Sequence, residues 1–197
     1  MNHYFTDNQN LRTKEKDIYF KIYENKFHFI TDNGVFSKSG LDFGSRLLIE
    51  TIYNIENHNI LDLGCGYGPI GLTYKYFNPN ALVTLIDVNK RAIELSKRNA
   101  NLNKLDVDIL ISNGYSSLNK NMRFDLIISN PPVRVGKKLL YKLLEEARDF
   151  LNMNGKLIYV IHKNLGAKSS LIFCENIYRK VTVINKKSGY FVIQCEK

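Results

Sequence analysis

The stretch LDLGCGYGPIG, residues 61–71, joins an apolar segment to a segment with helical spacing. Glycines alternate in it at Gly64, Gly66 and Gly68, and Pro69 follows at a position that suits the first turn of a helix. A glycine-rich turn between a buried strand and a helix is typical of ligand sites at the carboxyl ends of strands in open α/β sheets. The stretch therefore predicts such a sheet, with a ligand at its edge.

Strand-like and helix-like segments alternate on both sides of this turn. Strands are predicted at 59–65, 81–88, 107–112, 124–129 and 155–161, and helices at 69–77, 90–102, 137–151 and 166–177. Continuous apolar strands that alternate with helices indicate a parallel sheet covered on both faces. Two last runs, 179–184 and 189–195, are joined too tightly for a crossover and predict an antiparallel hairpin.

The first 55 residues follow a different pattern. Residues 17–31 alternate as two strands around a turn at Glu24 and Asn25, which predicts a β-hairpin. A loop punctuated by glycines covers 34–44, and residues 45–55 have helical spacing. The total length of 197 residues fits one domain.

The charge balance favours a polyanionic partner. The chain has 28 Lys and Arg against 19 Asp and Glu, a net charge of +9. It is also rich in Asn, Ile and Tyr, a bias that AT-rich coding produces together with Lys. The charge by itself therefore leaves the choice between nucleic acid and a general composition effect open.

Cysteine, histidine and hydropathy patterns bound the cellular setting. The three cysteines lie far apart without a CxxC pair, and the four histidines are scattered, so we expect neither a metal site nor a disulfide framework. No apolar stretch reaches the roughly 18 residues of a membrane span, and the polar start MNHYFTDNQN lacks a signal pattern. We expect a protein of the reduced cytoplasm, with no membrane partner.

An acidic residue discriminates between nucleotide ligands. Gly66, Gly68 and Gly71 form a literal GxGxxG, the dinucleotide fingerprint, but the glycine cluster begins earlier, at Gly64. Asp87 ends the next predicted strand about 20 residues after Gly64, where a carboxylate can accept both hydroxyls of an adenosine ribose. A nicotinamide enzyme would need a second mononucleotide-binding half. The pattern favours an adenosyl ligand, with an NAD-dependent oxidoreductase as an alternative.

The segment SNPPVRVGKK, residues 129–138, directly follows the apolar run FDLII. Two successive prolines remove two backbone donors and fix φ, so neither a strand nor a helix continues through them. The residue before a proline is held in an extended conformation. Asn130 and the carbonyl of Pro131 can thus present two fixed hydrogen-bond acceptors. The simpler alternative is that the prolines only terminate a strand.

These segments together resemble the class I S-adenosylmethionine-dependent methyltransferases. The residues that carry the resemblance are DLGCGYG (62–68), Asp87 in LIDVN and SNPPV (129–133). GVFSKSGLDFGSRLLIE (34–50) and NPPVRVGK (130–137) are more specific. They resemble the small-subunit ribosomal RNA guanine-N2 methyltransferases (the RsmC-like group) in a single-domain form. The resemblance covers roughly residues 3 to 195.

The resemblance implies a Rossmann-like α/β fold, with a seven-stranded, mostly parallel sheet, a C-terminal antiparallel hairpin and an N-terminal β-hairpin. One methyltransferase domain would span residues 1–197, with a β extension and loop over 1–40 and a cofactor-binding catalytic core over 41–197. The implied cofactor is S-adenosyl-L-methionine, and the implied partner is ribosomal RNA or the small ribosomal subunit, without a metal.

The resemblance also assigns site residues. Those implied to bind the cofactor are Asp62, Gly64, Cys65, Gly66, Gly68, Asp87, Val88, Asn113, Gly114 and Asn130. Those implied in catalysis are Asn130, Pro131 and Pro132. Our candidates for contact with the substrate are Phe36, Val133, Arg134 and Lys137. Arg134 and Lys137 would contact phosphates, and the alternative for them is a solvated helix start.

Two positions depart from the pattern of the family. Val133 stands where many amino-methyltransferases have an aromatic residue that stacks on the base, and Phe36 is our candidate for stacking, with core packing as the alternative. Asn113 stands where an Asp commonly receives the adenine amino group, and its neutral carbonyl can still accept that bond.

The chemistry of an amine substrate agrees with the two acceptors. The lone pair of an exocyclic amine is delocalised into the ring, so catalysis is mostly positioning, and no strong base is needed. Guanine N2 is the target that the family implies. Adenine N6, a protein glutamine amide and a non-catalytic RNA-binding module on the same fold remain alternatives.

Overall fold

The computed structural model describes residues 12–132 and 136–197. The strands are β1 (Lys16–Ile22), β2 (Asn25–Thr31), β3 (Asn59–Leu63), β4 (Leu82–Asp87), β5 (Asp108–Ile111), β6 (Phe124–Ser129), β7 (Leu151–His162), β8 (Lys180–Lys187) and β9 (Tyr190–Glu196). The helices are α1 (Phe43–Ile52), α2 (Pro69–Phe77), α3 (Lys90–Leu102), α4 (Lys137–Phe150) and α5 (Ala167–Glu175).

Seven of the strands form one sheet in the order β5-β4-β3-β6-β7-β9-β8. Strands β3 to β7 are parallel, and β9 lies antiparallel between β7 and β8. The predicted α/β fold, with its mostly parallel sheet and C-terminal hairpin, is confirmed. The chain moves outward from β3 to β5 on one side and from β6 to β7 on the other. The carboxyl ends of β3 and β6 therefore form the switch point, where ligands bind in such sheets.

The predicted N-terminal hairpin is also present, as β1 and β2 in a separate two-stranded sheet. Ile22 pairs with Asn25, so the turn is formed by Tyr23 and Glu24, one residue earlier than predicted. Alternation sets this register, because every second residue of both strands points into the core. Asn99 of α3 holds β2 through two bonds to the backbone of Ile30, at 2.7 and 2.9 Å.

Apolar side chains cover the sheet on both faces. One cluster joins the sheet to the N-terminal hairpin and to α1, α2 and α3, and the other joins it to α4 and α5. Helix α4 contributes Leu140, Leu143, Leu144 and Ala147, the spacing of a helix with one buried face. Strand β7 begins at Leu151 rather than at 155, since Leu151 already pairs with Phe124 before a register shift.

The described part of the chain contains three free, buried cysteines. None of the helices within residues 12–132 and 136–197 is long and apolar enough to cross a membrane. In the same ranges, no three His, Cys, Asp or Glu side chains come together as a metal ion would require. The division at residue 40 into an extension and a core stays a prediction.

Candidate active site

The glycine loop between β3 and α2 has a backbone that favours glycine. Gly64, Gly66 and Gly68 have φ values of 73°, 58° and 91°. A Cβ atom at Gly64 or Gly66 would meet no protein atom within 4 Å, so these two residues face open space. At Gly68 a Cβ would lie 2.8 Å from Leu72 Cδ1, which requires glycine at the start of α2. The loop thus leaves room for a ligand directly above its backbone.

Asp87, at the end of β4, holds the same loop. Its Oδ2 accepts a hydrogen bond from Gly66 N at 2.8 Å, and its Oδ1 accepts one from Asn89 N at 2.9 Å. Burial raises the pKa of this carboxyl above its ordinary value. A carboxylate has about four acceptor positions, so further ones remain for hydroxyl groups of a ligand.

Asp62 lies beneath the loop and is fully buried in β3. Its Oδ2 accepts a hydrogen bond from Gly71 N at 2.7 Å, and its Oδ1 has no partner in the described part of the chain. Burial, with a smaller contribution from the charge of Asp87, raises the pKa of Asp62 to about 7. Asp62 therefore ties β3 to α2 on either side of the glycine loop, and its contact with a cofactor stays a prediction.

The side chain of Asn130 has a fixed orientation at the end of β6. Its Nδ2 donates hydrogen bonds to Ser45 Oγ at 3.0 Å and to Asp42 Oδ1 at 3.3 Å. Asp42 is the N-cap of α1, where its Oδ1 also accepts from the backbone of Gly44 and Ser45. Ser129 Oγ donates to Leu63 O at 2.7 Å and joins the ends of β6 and β3. Because both Nδ2 hydrogens have partners, Asn130 Oδ1 is left as an acceptor.

Asp42 and Ser45 were missed by the sequence reasoning. An Asp at the start of a segment with helical spacing is an N-cap signal. That signal predicts a helix start, but it carries no information about a contact with a residue 88 positions away. A second property of Asp42 is also invisible in the sequence, since its Oδ2 is buried with no hydrogen-bond partner among the described residues.

The two halves of this site open into one cleft. Of the predicted residues, the cleft is lined by Phe36, Gly64, Cys65, Gly66, Asp87, Val88, Asn113, Gly114, Asn130 and Pro132. It is also lined by residues that were not predicted to bind a ligand, among them Asp42, Ser45 and Tyr67. The structure thus brings the predicted cofactor residues and the NPP segment to one place.

Four predicted residues do not line the cleft: Asp62, Gly68, Pro131 and Lys137. Pro131 is buried beside it, and Lys137 is exposed as the first residue of α4. Val133 and Arg134 lie outside the described residues. Burial raises the pKa of the Cys65 thiol, so Cys65 is a packing residue of the loop rather than a thiolate nucleophile.

The sequence and the fold of this chain are similar to those of known proteins. A family model described as "Methyltransferase small domain" matches residues 26–194. "Uncharacterized protein YbxB" of Bacillus subtilis is 39% identical over 197 residues, 99% of this chain and 98% of that protein. "Ribosomal RNA small subunit methyltransferase C" of Buchnera aphidicola is 35% identical over 166 residues, which cover 82% of this chain and 48% of that protein.

One solved structure is similar over nearly the whole chain. It is the 16S rRNA N2 G1207 methyltransferase of T. thermophilus in complex with AdoMet and guanosine, with a TM-score of 0.85 at 24% identity. The match covers 95% of this chain and 52% of that one. This chain therefore spans about half the length of the ribosomal RNA methyltransferases that it matches. At this level of identity, the structural likeness supports the fold.

Proposed function

The chain belongs to the methyltransferase small domain family, and we propose that it methylates the exocyclic N2 amine of a guanine in small-subunit ribosomal RNA. The single observation that carries the proposal is the orientation of Asn130. Its two amide hydrogens are bound by Asp42 and Ser45, so its oxygen is the atom available in the cleft. An oriented acceptor of this kind binds an amine hydrogen.

The cleft fits S-adenosylmethionine as cofactor. The open positions above Gly64 and Gly66 leave room for a nucleoside ligand to lie against the backbone of the loop, and Asp87 can accept hydrogen bonds from ribose hydroxyls. Val88, Asn113 and Gly114 line the same end of the cleft, where an adenine ring would lie. When bound, the cofactor supplies an electrophilic methyl group. The AdoMet complex of the structural relative supports this assignment.

The residues around Asn130 perform the positioning. We propose that Asn130 Oδ1 accepts a hydrogen of the amine and so directs its nitrogen along the line of attack. An acceptor role for the carbonyl of Pro131 stays a prediction, because Pro131 does not line the cleft. The Asn130 oxygen also stabilises the positive charge that develops on the nitrogen. The carboxylate of Asp42 strengthens the effect, because a hydrogen bond from Nδ2 to an anion polarises the amide and makes Oδ1 a better acceptor.

No general base is required for this reaction. The amine becomes acidic once it is alkylated and then loses a proton to solvent. The buried carboxyl of Asp62 is separated from the cleft by the loop, and the thiol of Cys65 has a raised pKa. Catalysis by orientation is therefore the mechanism that these side chains support.

Ribosomal RNA is the proposed partner, and the cytoplasm is the proposed location. The names of the matched relatives support an RNA substrate, and the net charge of +9 agrees with one. Phe36 lines the cleft with 36% of its surface exposed, which keeps it as a candidate for contact with the base. Exposed Lys137 is a candidate for phosphate contact.

Incubation with methyl-labelled cofactor and small-subunit ribosomal RNA, followed by nucleoside digestion, tests the proposal. We expect label in N2-methylguanosine with the wild-type protein and a rate of labelling at least about a hundredfold lower with Asn130→Ala. Label in N6-methyladenosine, or only in protein glutamine, would contradict the guanine assignment. Adenine N6 and glutamine amides carry two amine hydrogens as guanine N2 does, so only the product distinguishes them.

A further inference from the structure

The half of the sheet beyond Asn130 is poor in negative charge. From Leu151 to the end of β9 the sequence has two acidic residues, Glu175, which is the last residue of α5, and Glu196, which is the last residue of β9. Helix α5 follows β7 and runs back across the sheet, so Glu175 lies toward the edge opposite to the cleft. The basic residues of this half include Lys163, Lys186 and Lys187, all exposed and all at the edge that carries the cleft.

These lysines continue the edge on which Asn130 lies. Asn130 follows β6, His162 ends β7, Tyr190 begins β9 and Lys187 ends β8, and these strands are neighbours in that order. His162 pairs with Tyr190, and Tyr190 pairs with Lys187. With neighbouring strands roughly 4.8 Å apart, Lys187 lies about 15 Å from Asn130 along the edge.

The turn that presents Lys186 and Lys187 is fixed in place. We call residues 186–190 the hairpin tip. Ser188 and Gly189 form its turn with φ values of 50° and 80°. Gly189 O accepts a hydrogen bond from Lys163 N at 2.8 Å, and a Cβ at Gly189 would lie 2.8 Å from His162 Nε2. The tip is thus packed against the end of β7, which places Lys163 beside it.

An aromatic pair connects the hairpin tip to the active site. The rings of Phe43 and Tyr190 lie 5.4 Å apart, and Phe43 is 38% exposed. Phe43 directly follows Asp42, whose carboxylate binds Asn130. Gly44 allows this arrangement, because a Cβ there would lie 2.9 Å from Tyr190 Cε1. An exposed ring therefore lies between the lysines and the catalytic amide.

We propose that the hairpin tip, Lys163 and the exposed ring of Phe43 form a docking surface for the RNA strand that flanks the target base. This inference rests on the proposed function and names where its substrate binds. The exposed lysines of the hairpin tip and Lys163 attract a polyanion, and the phosphates of RNA provide one. The aromatic ring favours RNA over an acidic protein segment, since unpaired bases stack on aromatic side chains.

Salt-dependent binding of RNA tests the lysines. A short, fluorescein-labelled, single-stranded RNA of mixed sequence is titrated with wild type, with Lys186→Gln/Lys187→Gln and with the control Lys120→Gln/Lys180→Gln. The control lysines are also exposed, but they precede β6 and begin β8, at the opposite edge of the sheet. We expect the slope of log affinity against log salt to fall by about 1.4 in the tip variant, roughly 0.7 for each lost phosphate contact, and to stay unchanged in the control.

Equal slopes in the two double variants would overturn the docking surface. The docking surface would also be overturned if the wild-type protein bound polyglutamate but not the RNA, and if the tip variant lost that binding. The partner would then be an acidic protein. Affinity for S-adenosylmethionine, measured by calorimetry, should be the same in all three proteins. Loss of cofactor binding in the tip variant would instead mean that the substitutions disturb the fold.

A second substitution tests the aromatic ring. Phe43→Ala should weaken RNA binding roughly five- to a hundredfold, the range for one stacked base, whereas Phe43→Tyr should keep it. Equal affinities for these two variants, at equal thermal stability, would exclude stacking. If RNA binding depends on the hairpin tip but no methyl group is transferred to the RNA, only the proposed function is contradicted. If the wild type and the tip variant methylate RNA with the same KM, only the docking surface is contradicted.

Discussion

The side-chain nitrogen of Asn130 lies 3.0 Å from the hydroxyl oxygen of Ser45. The same nitrogen donates to Asp42 Oδ1, and a carboxylate can only accept. If the amide turned over, its oxygen would face that carboxylate without a hydrogen between them. Asp42 and Ser45 therefore determine which end of the amide faces the cleft, and we infer that they are positioning residues for Asn130.

Asn130→Ala should lower turnover a hundredfold or more and leave the affinity for S-adenosylmethionine nearly unchanged, since an oriented polar group at the reacting atom is lost. Single-turnover kinetics and calorimetry measure the two quantities. Asn152→Ala is a matched control, because the Asn152 amide also donates to an aspartate, Asp125, at 2.7 Å, but at the start of β7. If cofactor affinity falls as far as turnover, the NPP segment is only structural.

Ser45→Ala should lower turnover by about tenfold, the value of one hydrogen bond of roughly 1.4 kcal/mol, with cofactor affinity kept. The loss is smaller than for Asn130→Ala because Asp42 still accepts one amide hydrogen. In the double variant Ser45→Ala/Asn130→Ala, the serine substitution should cost nothing further, since its only proposed role is to orient the missing amide. Additive losses would show that Ser45 acts independently of Asn130.

Asp87→Ala should weaken S-adenosylmethionine binding by about 1.5–3 kcal/mol, the range for hydrogen bonds to a charged group. Asp87→Asn keeps one acceptor oxygen and should lose less. Both carboxylate oxygens also hold backbone amides, those of Gly66 and Asn89, so part of the effect comes from the loop. Calorimetry measures the affinity, with exposed Asp106→Ala as the control. Unchanged affinity in a folded Asp87→Ala protein would refute the ribose-binding role.

The alternation of strands and helices was predictable because parallel strands buried on both faces leave a strong apolar pattern. The bounds of α2 and α3 agree with the predicted ranges 69–77 and 90–102. The start of β7 was missed, because Asn152, Asn154 and Gly155 interrupt the apolar pattern, and only pairing of Leu151 with Phe124 shows that the strand begins there. Local pattern therefore predicts the elements better than it predicts their ends.

The active site was predictable as far as it is contained in single segments. The glycine loop and Asn130 each follow a strand, Asp87 ends one, and parallel strands place their carboxyl ends on one edge. The role of Asp42 depends instead on the packing of α1 across the sheet. Asp62 illustrates a second limit, because a carboxylate beneath a loop and one that faces a ligand look alike in a sequence.

Asp62 should make the cofactor-free protein less stable as pH rises. Its carboxyl keeps its proton up to about pH 7 in the folded state, against an ordinary pKa of 3.8. Below pH 3.8 the carboxyl is protonated in both the folded and the unfolded protein, and its full contribution to the free energy of unfolding is present. That contribution is lost as pH rises through the folded pKa of about 7. Between these two pKa values, the free energy of unfolding should fall by up to about 1.4 kcal/mol for each pH unit. Asp62→Asn, which still accepts from Gly71 N, should remove that slope in denaturant unfolding between about pH 4 and pH 7, whereas exposed Asp106→Asn should not. Parallel profiles for wild type and Asp62→Asn would show that the carboxyl is already ionised in the folded protein.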